Sequence, residues 1–134
     1  VDFFFTISEK LWFYMVNLGK SKYFKMGKFE IKKDKSGQFR FNLKAGNGQV
    51  ILSSEAYKTK SACENGIESV RKNSKNDAMF DRKVAKNGKP YFGLKASNGQ
   101  EIGASQMYAS ASSMANGIAS VKKNAASAKV VDNS

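Results

Sequence analysis

Phe41-Asn42-Leu43-Lys44-Ala45-Gly46-Asn47-Gly48-Gln49 returns 51 residues later as Phe92-Gly93-Leu94-Lys95-Ala96-Ser97-Asn98-Gly99-Gln100. The register continues without a gap, Tyr57 onto Tyr108, Asn65-Gly66-Ile67 onto Asn116-Gly117-Ile118, and Lys72-Asn73 onto Lys123-Asn124. From Gly37 to Asn73 roughly half the positions are identical, so the chain carries an internal duplication and its fold must be read as two copies of one unit.

Within the first copy, Lys28-Phe29-Glu30-Ile31-Lys32 alternates polar and apolar with period two, which predicts a strand with Phe29 and Ile31 inward. Asp34-Lys35-Ser36-Gly37 supplies turn residues. A second strand follows over Gln38 to Ala45, with Phe39, Phe41 and Leu43 on one face and Arg40, Asn42 and Lys44 on the other. Gly46-Asn47-Gly48 signals a hairpin, because Gly and Asn tolerate the positive φ of tight turns. Val50-Ile51-Leu52 forms the third strand of a meander, read with Val50 and Leu52 on one outer face. Then Ser61-Ala62-Cys63-Glu64 fits a capping box, and Cys63, Ile67 and Val70 give the apolar stripe of a helix. Gly66 inside that helix costs about 1 kcal/mol relative to Ala. Its recurrence as Gly117 predicts a close approach of helix to sheet.

The second copy edits this plan. Arg82 replaces Ile31, which predicts a less buried entry strand, and Pro90 replaces Phe39, which places it at a strand start or edge. Glu101 and Gly103 replace Val50 and Leu52. Ser110 or Ser112 caps the second helix, whose inward residues are Met114, Ile118 and Val121. The tail Lys129-Val130-Val131-Asp132 is β-type and falls on Ala78-Met79-Phe80-Asp81, so a strand follows each helix. The organisation expected is an extension over 1–25, one repeat unit over 26–77 and a second over 78–134, the two units forming one structural domain.

Residues 1–25 have no partner in the duplication and are rich in aromatics, among them Phe3, Phe4, Phe5, Trp12, Phe13 and Tyr14. The longest uncharged run, Leu11 to Leu18, is too short to span a bilayer, and the stretch lacks the pattern of a secretory signal. Met26-Gly27-Lys28-Phe29 makes a natural beginning, so residues 1–25 are read as a stretch upstream of the start. A segment packed on the body and an amphipathic interfacial anchor are the alternatives.

These matching stretches, FRFNLKAGNGQVILSSEAY with NGIESVRKN and PYFGLKASNGQEIGASQMYAS with NGIASVKKN, resemble the YegP-like family of small bacterial proteins, a domain family of unknown function. The resemblance covers about residues 27–134. It implies an α+β fold in which tandem β-β-β-α-β units build one largely antiparallel sheet, exchange their C-terminal strands and pack two helices on it. Single-copy members do this as dimers, so this chain is expected to do it internally, as a monomer. No catalytic residue and no cofactor come with the resemblance.

Composition narrows the chemistry. Histidine is absent and Cys63 is the single cysteine, so neither a Cys/His zinc site nor His-dependent acid–base machinery can be built. A lone cysteine opposite Met114 reads as a packing residue, and the absence of an internal disulfide suits a reducing cytoplasm. The repeated Ser54/Tyr57 and Ser105/Tyr108 pairs have no base to activate them, and no enzymatic activity is expected. Lys+Arg is 23 against 11 Asp+Glu, a net charge of +12, which favours anionic partners. Arg40, Lys44, Tyr91 and Lys95 share the outer faces of the second strands, where basic groups beside an aromatic ring are candidates for phosphate contact and base stacking. The reading is a non-catalytic structural or protein-interaction module, with weak anion or nucleic-acid binding by that face as the alternative.

Overall fold

The computed structural model describes residues 26–134; the expectations for residues 1–25 lie outside the described residues. Its strands are β1 (Lys28–Lys33), β2 (Phe39–Lys44), β3 (Val50–Ser54), β4 (Phe80–Val84), β5 (Pro90–Lys95), β6 (Glu101–Ala104) and β7 (Lys129–Asp132). The helices are α1 (Lys60–Asn73), between β3 and β4, and α2 (Ala111–Ser127), between β6 and β7. One sheet runs in the order β4-β5-β6-β3-β2-β1-β7, antiparallel except for β1 and β7. The mixed α+β architecture expected from the duplication is therefore present, with both helices against one face of the sheet.

Alternation puts Phe29 and Ile31 of β1, Phe41 and Leu43 of β2, and Phe92 and Leu94 of β5 under the helices. Each is essentially fully buried, worth about 1.5–3 kcal/mol per side chain. Cys63, Ile67 and Val70 of α1 and Met114, Ile118 and Val121 of α2 close the core from above. The Phe29–Phe41 and Phe80–Phe92 rings meet edge-on at 5.8 and 5.7 Å, so the duplication extends to the aromatic packing.

Two local expectations are corrected. Ser61 does not cap α1: Thr59 does, its hydroxyl accepting from the Ala62 N–H at 3.0 Å. The backbone of Tyr57 is pinned to Phe39 by two hydrogen bonds, and Thr59 follows in extended conformation, so the helix begins two residues earlier than the capping-box reading requires. Strand β3 does not place Val50 and Leu52 on one face. Leu43 pairs with Leu52 but Lys44 pairs with Val50, so Ile51 is the extra residue of a β-bulge. Ile51 and Leu52 both enter the core while Val50 stays on the outer face. The bulge recurs in β6, where Ile102 is the extra residue and Gly103 the inward one.

Pro90 begins β5, and its carbonyl accepts from the Tyr108 N–H at 2.8 Å. In the first copy Phe39 both donates to and accepts from Tyr57, so proline loses one bond and keeps the other.

The halves meet at a narrow seam, Ser53 opposite Ala104 and Ser54 opposite Gly103. A Cβ on Gly103 would come within 2.5 Å of the Ser53 carbonyl oxygen, so only glycine permits this approach. The strand exchange is one-way. β7 leaves the second half and lies parallel to β1 of the first, with the Asn133 N–H donating to the Ile31 carbonyl at 2.8 Å. In the first half the chain after α1 makes one 3-10 turn, Asp77–Met79, and becomes β4 itself. Helix residues brace both crossings at equivalent positions. Arg71 donates to the Ala128 carbonyl at 2.8 Å and lies over the Phe29 ring; Lys122 reaches the Asp77 carboxylate at 2.7 Å and lies over the Phe80 ring.

Candidate functional site

The face of the sheet away from the helices carries the four candidate residues. Arg40 and Lys44 stand on β2, Tyr91 and Lys95 on β5. Asn42, Ser53, Ala104 and Gly93 lie in one row across β2, β3, β6 and β5. Since β2 and β5 run in opposite directions, Lys44 and Tyr91 fall on one side of that row, and Arg40 and Lys95 on the other. At about 4.8 Å per strand and 3.3 Å per residue, the four form the corners of a rectangle of about 14 by 13 Å. The fold brings them to one face without gathering them into one pocket.

Their charges are already partnered. Arg40 pairs with Asp34 at 3.2 Å, Lys44 with Glu30 at 3.3 Å, and Lys95 with Asp81 at 3.3 Å. Lys83 crosses β5 to Glu101 on β6 at 2.7 Å and lies 5.8 Å from the Tyr91 ring centroid. That reach depends on Gly93, where any Cβ would collide with the Glu101 carboxylate. Glu30 is only 5% exposed, although it stands on the outer face, because Lys28, Lys32 and Lys44 close over it. The hydrogen bond from Lys32, aided by Lys44 and opposed by burial, holds its carboxyl at about 2. Hydrogen bonds from the Ser36 hydroxyl and the Gln38 backbone, with Arg40 assisting, hold Asp34 at about 2. Arg40 also borders a hollow of about 350 Å³ with Lys32, Lys33, Asp34, Asn42 and Ser53, so three cations and one carboxylate line it.

The repeated hydroxyls have structural partners. Ser54 Oγ accepts from the Phe41 N–H at 2.9 Å and donates to the Glu55 carbonyl at 2.7 Å. Ser105 Oγ does the same with Phe92 and Gln106, at 3.0 and 2.8 Å. Both hydroxyls thus substitute for strand hydrogen bonds. Tyr57 and Tyr108 stack on Phe41 and Phe92, and their hydroxyl ends press against Gly66 and Gly117. The repeated helix glycine therefore makes room for a tyrosine ring, and burial pushes both phenols up. Cys63 is fully buried and its thiol is pushed up to about 11 by that burial, in keeping with a packing role.

Among the described residues no group of three His, Cys, Asp or Glu is placed to hold a metal ion, and no helix is long and apolar enough to cross a membrane. The sequence reading missed the carboxylates that neutralise the basic corners. Their signal was present: Glu30 and Asp81 occupy equivalent outward positions diagonal to Lys44 and Lys95, where opposite charges on neighbouring strands attract.

Three comparisons place the chain among known proteins. The profile of the domain of unknown function DUF1508 matches twice, over residues 34–81 and 85–132. A UPF0339 protein of Acinetobacter baylyi is 59% identical over 106 residues, which cover 79% of this chain and 96% of that protein. The UPF0339 protein YegP of Escherichia coli K12 is 56% identical over 107 residues, 80% of this chain and 97% of YegP. The solution NMR structure of Escherichia coli YegP, titled a protein of unknown function, superimposes with a TM-score of 0.77, covering 81% of this chain and 93% of that one. A solution NMR structure of a UPF0339 protein from Shewanella oneidensis, 53% identical, gives 0.75, covering 79% and 90%. With two tandem matches and relatives aligned over nearly their whole length, this chain belongs to the DUF1508 family of YegP-like UPF0339 proteins.

Proposed function

We propose that this protein is a non-catalytic interaction module whose partner is another protein. The observation that carries this reading is the compensation of the outer face. Arg40, Lys44, Lys83 and Lys95 each hold a carboxylate of the same chain, so a phosphate must compete for them, whereas a protein surface can match a mixed pattern of charges. The commitment of Ser54, Ser105, Tyr57, Tyr108 and Cys63 to hydrogen bonds or packing supports the non-catalytic part. A cytoplasmic location accords with the single buried thiol.

The second reading is weak binding of nucleic acid or another polyanion, favoured by the net charge of +12 and the cationic hollow beside Arg40. Arg40, Lys44 and Lys95 would contact phosphates and Tyr91 would stack on a base. Capture of partners from cell extract, at low salt and at about 0.15 M, with and without nuclease, separates the two. Protein partners that survive nuclease and salt support the first reading. Capture that nuclease abolishes, with a steep loss as salt rises, supports the second and overturns the first.

A further inference from the structure

Strand β4 is the duplicate of β1, yet only β1 has a strand on its outer side among the described residues. The backbone direction on β4 follows from its neighbour. Phe92 of β5 exchanges hydrogen bonds with Ser105 on the β6 side, so Tyr91 and Gly93 face β4, and their partners Lys83 and Asp81 face inward. The N–H and C=O of Arg82 and Val84 therefore point away from the sheet. Their counterparts on β1 lie on the edge that β7 occupies, where Ile31 accepts from Asn133. Among the described residues, the place that β7 fills beside β1 is unfilled beside β4.

Charge commonly guards such an edge, but here the charges of Asp81 and Lys83 turn inward. Asp81 is held by Lys95 and Lys83 by Glu101, both toward the middle of the sheet, and Arg82 lies back on Asp77 at 3.5 Å. Arg82 is exposed where its counterpart Ile31, beneath β7, is 1% exposed, and Val84 at the end of the strand is 72% exposed. The helix wall differs between the two edges. Beside β7, Val130 shares a recess with Glu64, Ile67 and Glu68, and Lys60 holds Asp132 at 2.6 Å. At the corresponding places of α2 stand Ala115, Ile118, Ala119 and Ala111. In the register that β7 keeps on β1, Asp132 pairs with Ile31, whose counterpart is Arg82, so the cation beside that position comes from the strand and not from the helix.

We propose that the outer edge of β4 is a peptide-binding edge, taking an extended, β-branched segment of a partner protein as an eighth strand parallel to β4, in the manner of β7 on β1. Main-chain hydrogen bonds to Arg82 and Val84 supply the affinity, and Arg82 favours an acidic residue at the position of Asp132. This rests on the interaction reading above and names its surface.

The test uses the full chain, isotope-labelled for NMR, and a capped peptide with the sequence of residues 128–134. Millimolar peptide is expected to shift the Arg82 and Val84 amides and slow their hydrogen exchange. The peptide carrying Asp132→Val should bind about threefold more weakly, since it offers Arg82 no carboxylate. Val84→Pro removes an outward N–H and should abolish the response; a peptide N-methylated at its middle valine should fail on the unaltered protein. No response at Arg82 and Val84 overturns the proposal, as does a response confined to Ile31 and Asn133, which would mean displacement of β7. Protection of these amides without peptide also overturns it, because a second copy or the chain's own residues would then fill the edge. A protein partner retained by Val84→Pro leaves the interaction reading standing and overturns the edge.

Discussion

The Tyr57 hydroxyl lies against the backbone of Gly66, and 51 residues on Tyr108 lies in the same way against Gly117. Gly66→Ala would gain up to about 1 kcal/mol of helix propensity. The added methyl meets the phenol, however, and approaches Phe41 to 3.1 Å. Overpacking of that kind costs about 1–3 kcal/mol, and net destabilisation is expected. Urea unfolding of Gly66→Ala alone and combined with Tyr57→Phe checks this. The loss should be smaller in the Tyr57→Phe background, because the oxygen nearest the new methyl is gone.

Ser54→Ala should cost about 1–3 kcal/mol, since it orphans the buried Phe41 N–H. The neighbouring Ser53→Ala, exposed on the outer face, should stay within about 0.5 kcal/mol. Ser105→Ala should follow Ser54→Ala in sign. Equal midpoints for the Ser53 and Ser54 variants would mean that the hydroxyl is not a structural bond.

Glu30 gives the stability an acid limb. Its carboxyl is held at about 2 in the folded chain against an ordinary 4.5, chiefly by Lys32. A depressed folded value stabilises above the unfolded one, and that contribution is lost as pH falls from about 4.5 toward 2. Glu30→Gln should therefore be less stable at pH 6, by about 1–2 kcal/mol given the partly exposed lysines around it. The gap should close toward pH 2. Denaturant midpoints of both proteins from pH 6 to pH 2 test this, and a constant gap would contradict it.

Cys63 should be silent toward thiol reagents in the native protein, because it is fully buried and its thiol is pushed up to about 11. Its labelling rate should follow global unfolding across a urea series. Fast labelling without denaturant would mean that the α1 side of the core opens locally.

The duplication made most of the fold legible. Strand alternation around Phe29, Phe41 and Phe92, the turns at Gly48 and Gly99, and the helix stripe of Ile67 and Val70 all follow period and turn chemistry. Leu52 was misread because a bulge shifts the period by one residue, and periodicity alone does not reveal where the shift falls. Ser61 was misread as a cap because the helix start is set by a distant contact, Tyr57 on Phe39. The candidate face was legible only as a face. Whether Lys44 is available depends on Glu30, 14 residues away, and that pairing exists only once β1 lies beside β2.

Native-state hydrogen exchange on the intact chain tests the central claim most directly: a single sheet in which β7 closes on β1 and, among the described residues, none covers the edge of β4. The amides of Ile31 and Asn133, on the closed side, should be protected, while those of Arg82 and Val84 should exchange at nearly the rate of an unstructured chain. Comparable protection at all four would contradict an open edge, and free exchange at Ile31 and Asn133 would contradict the closure by β7.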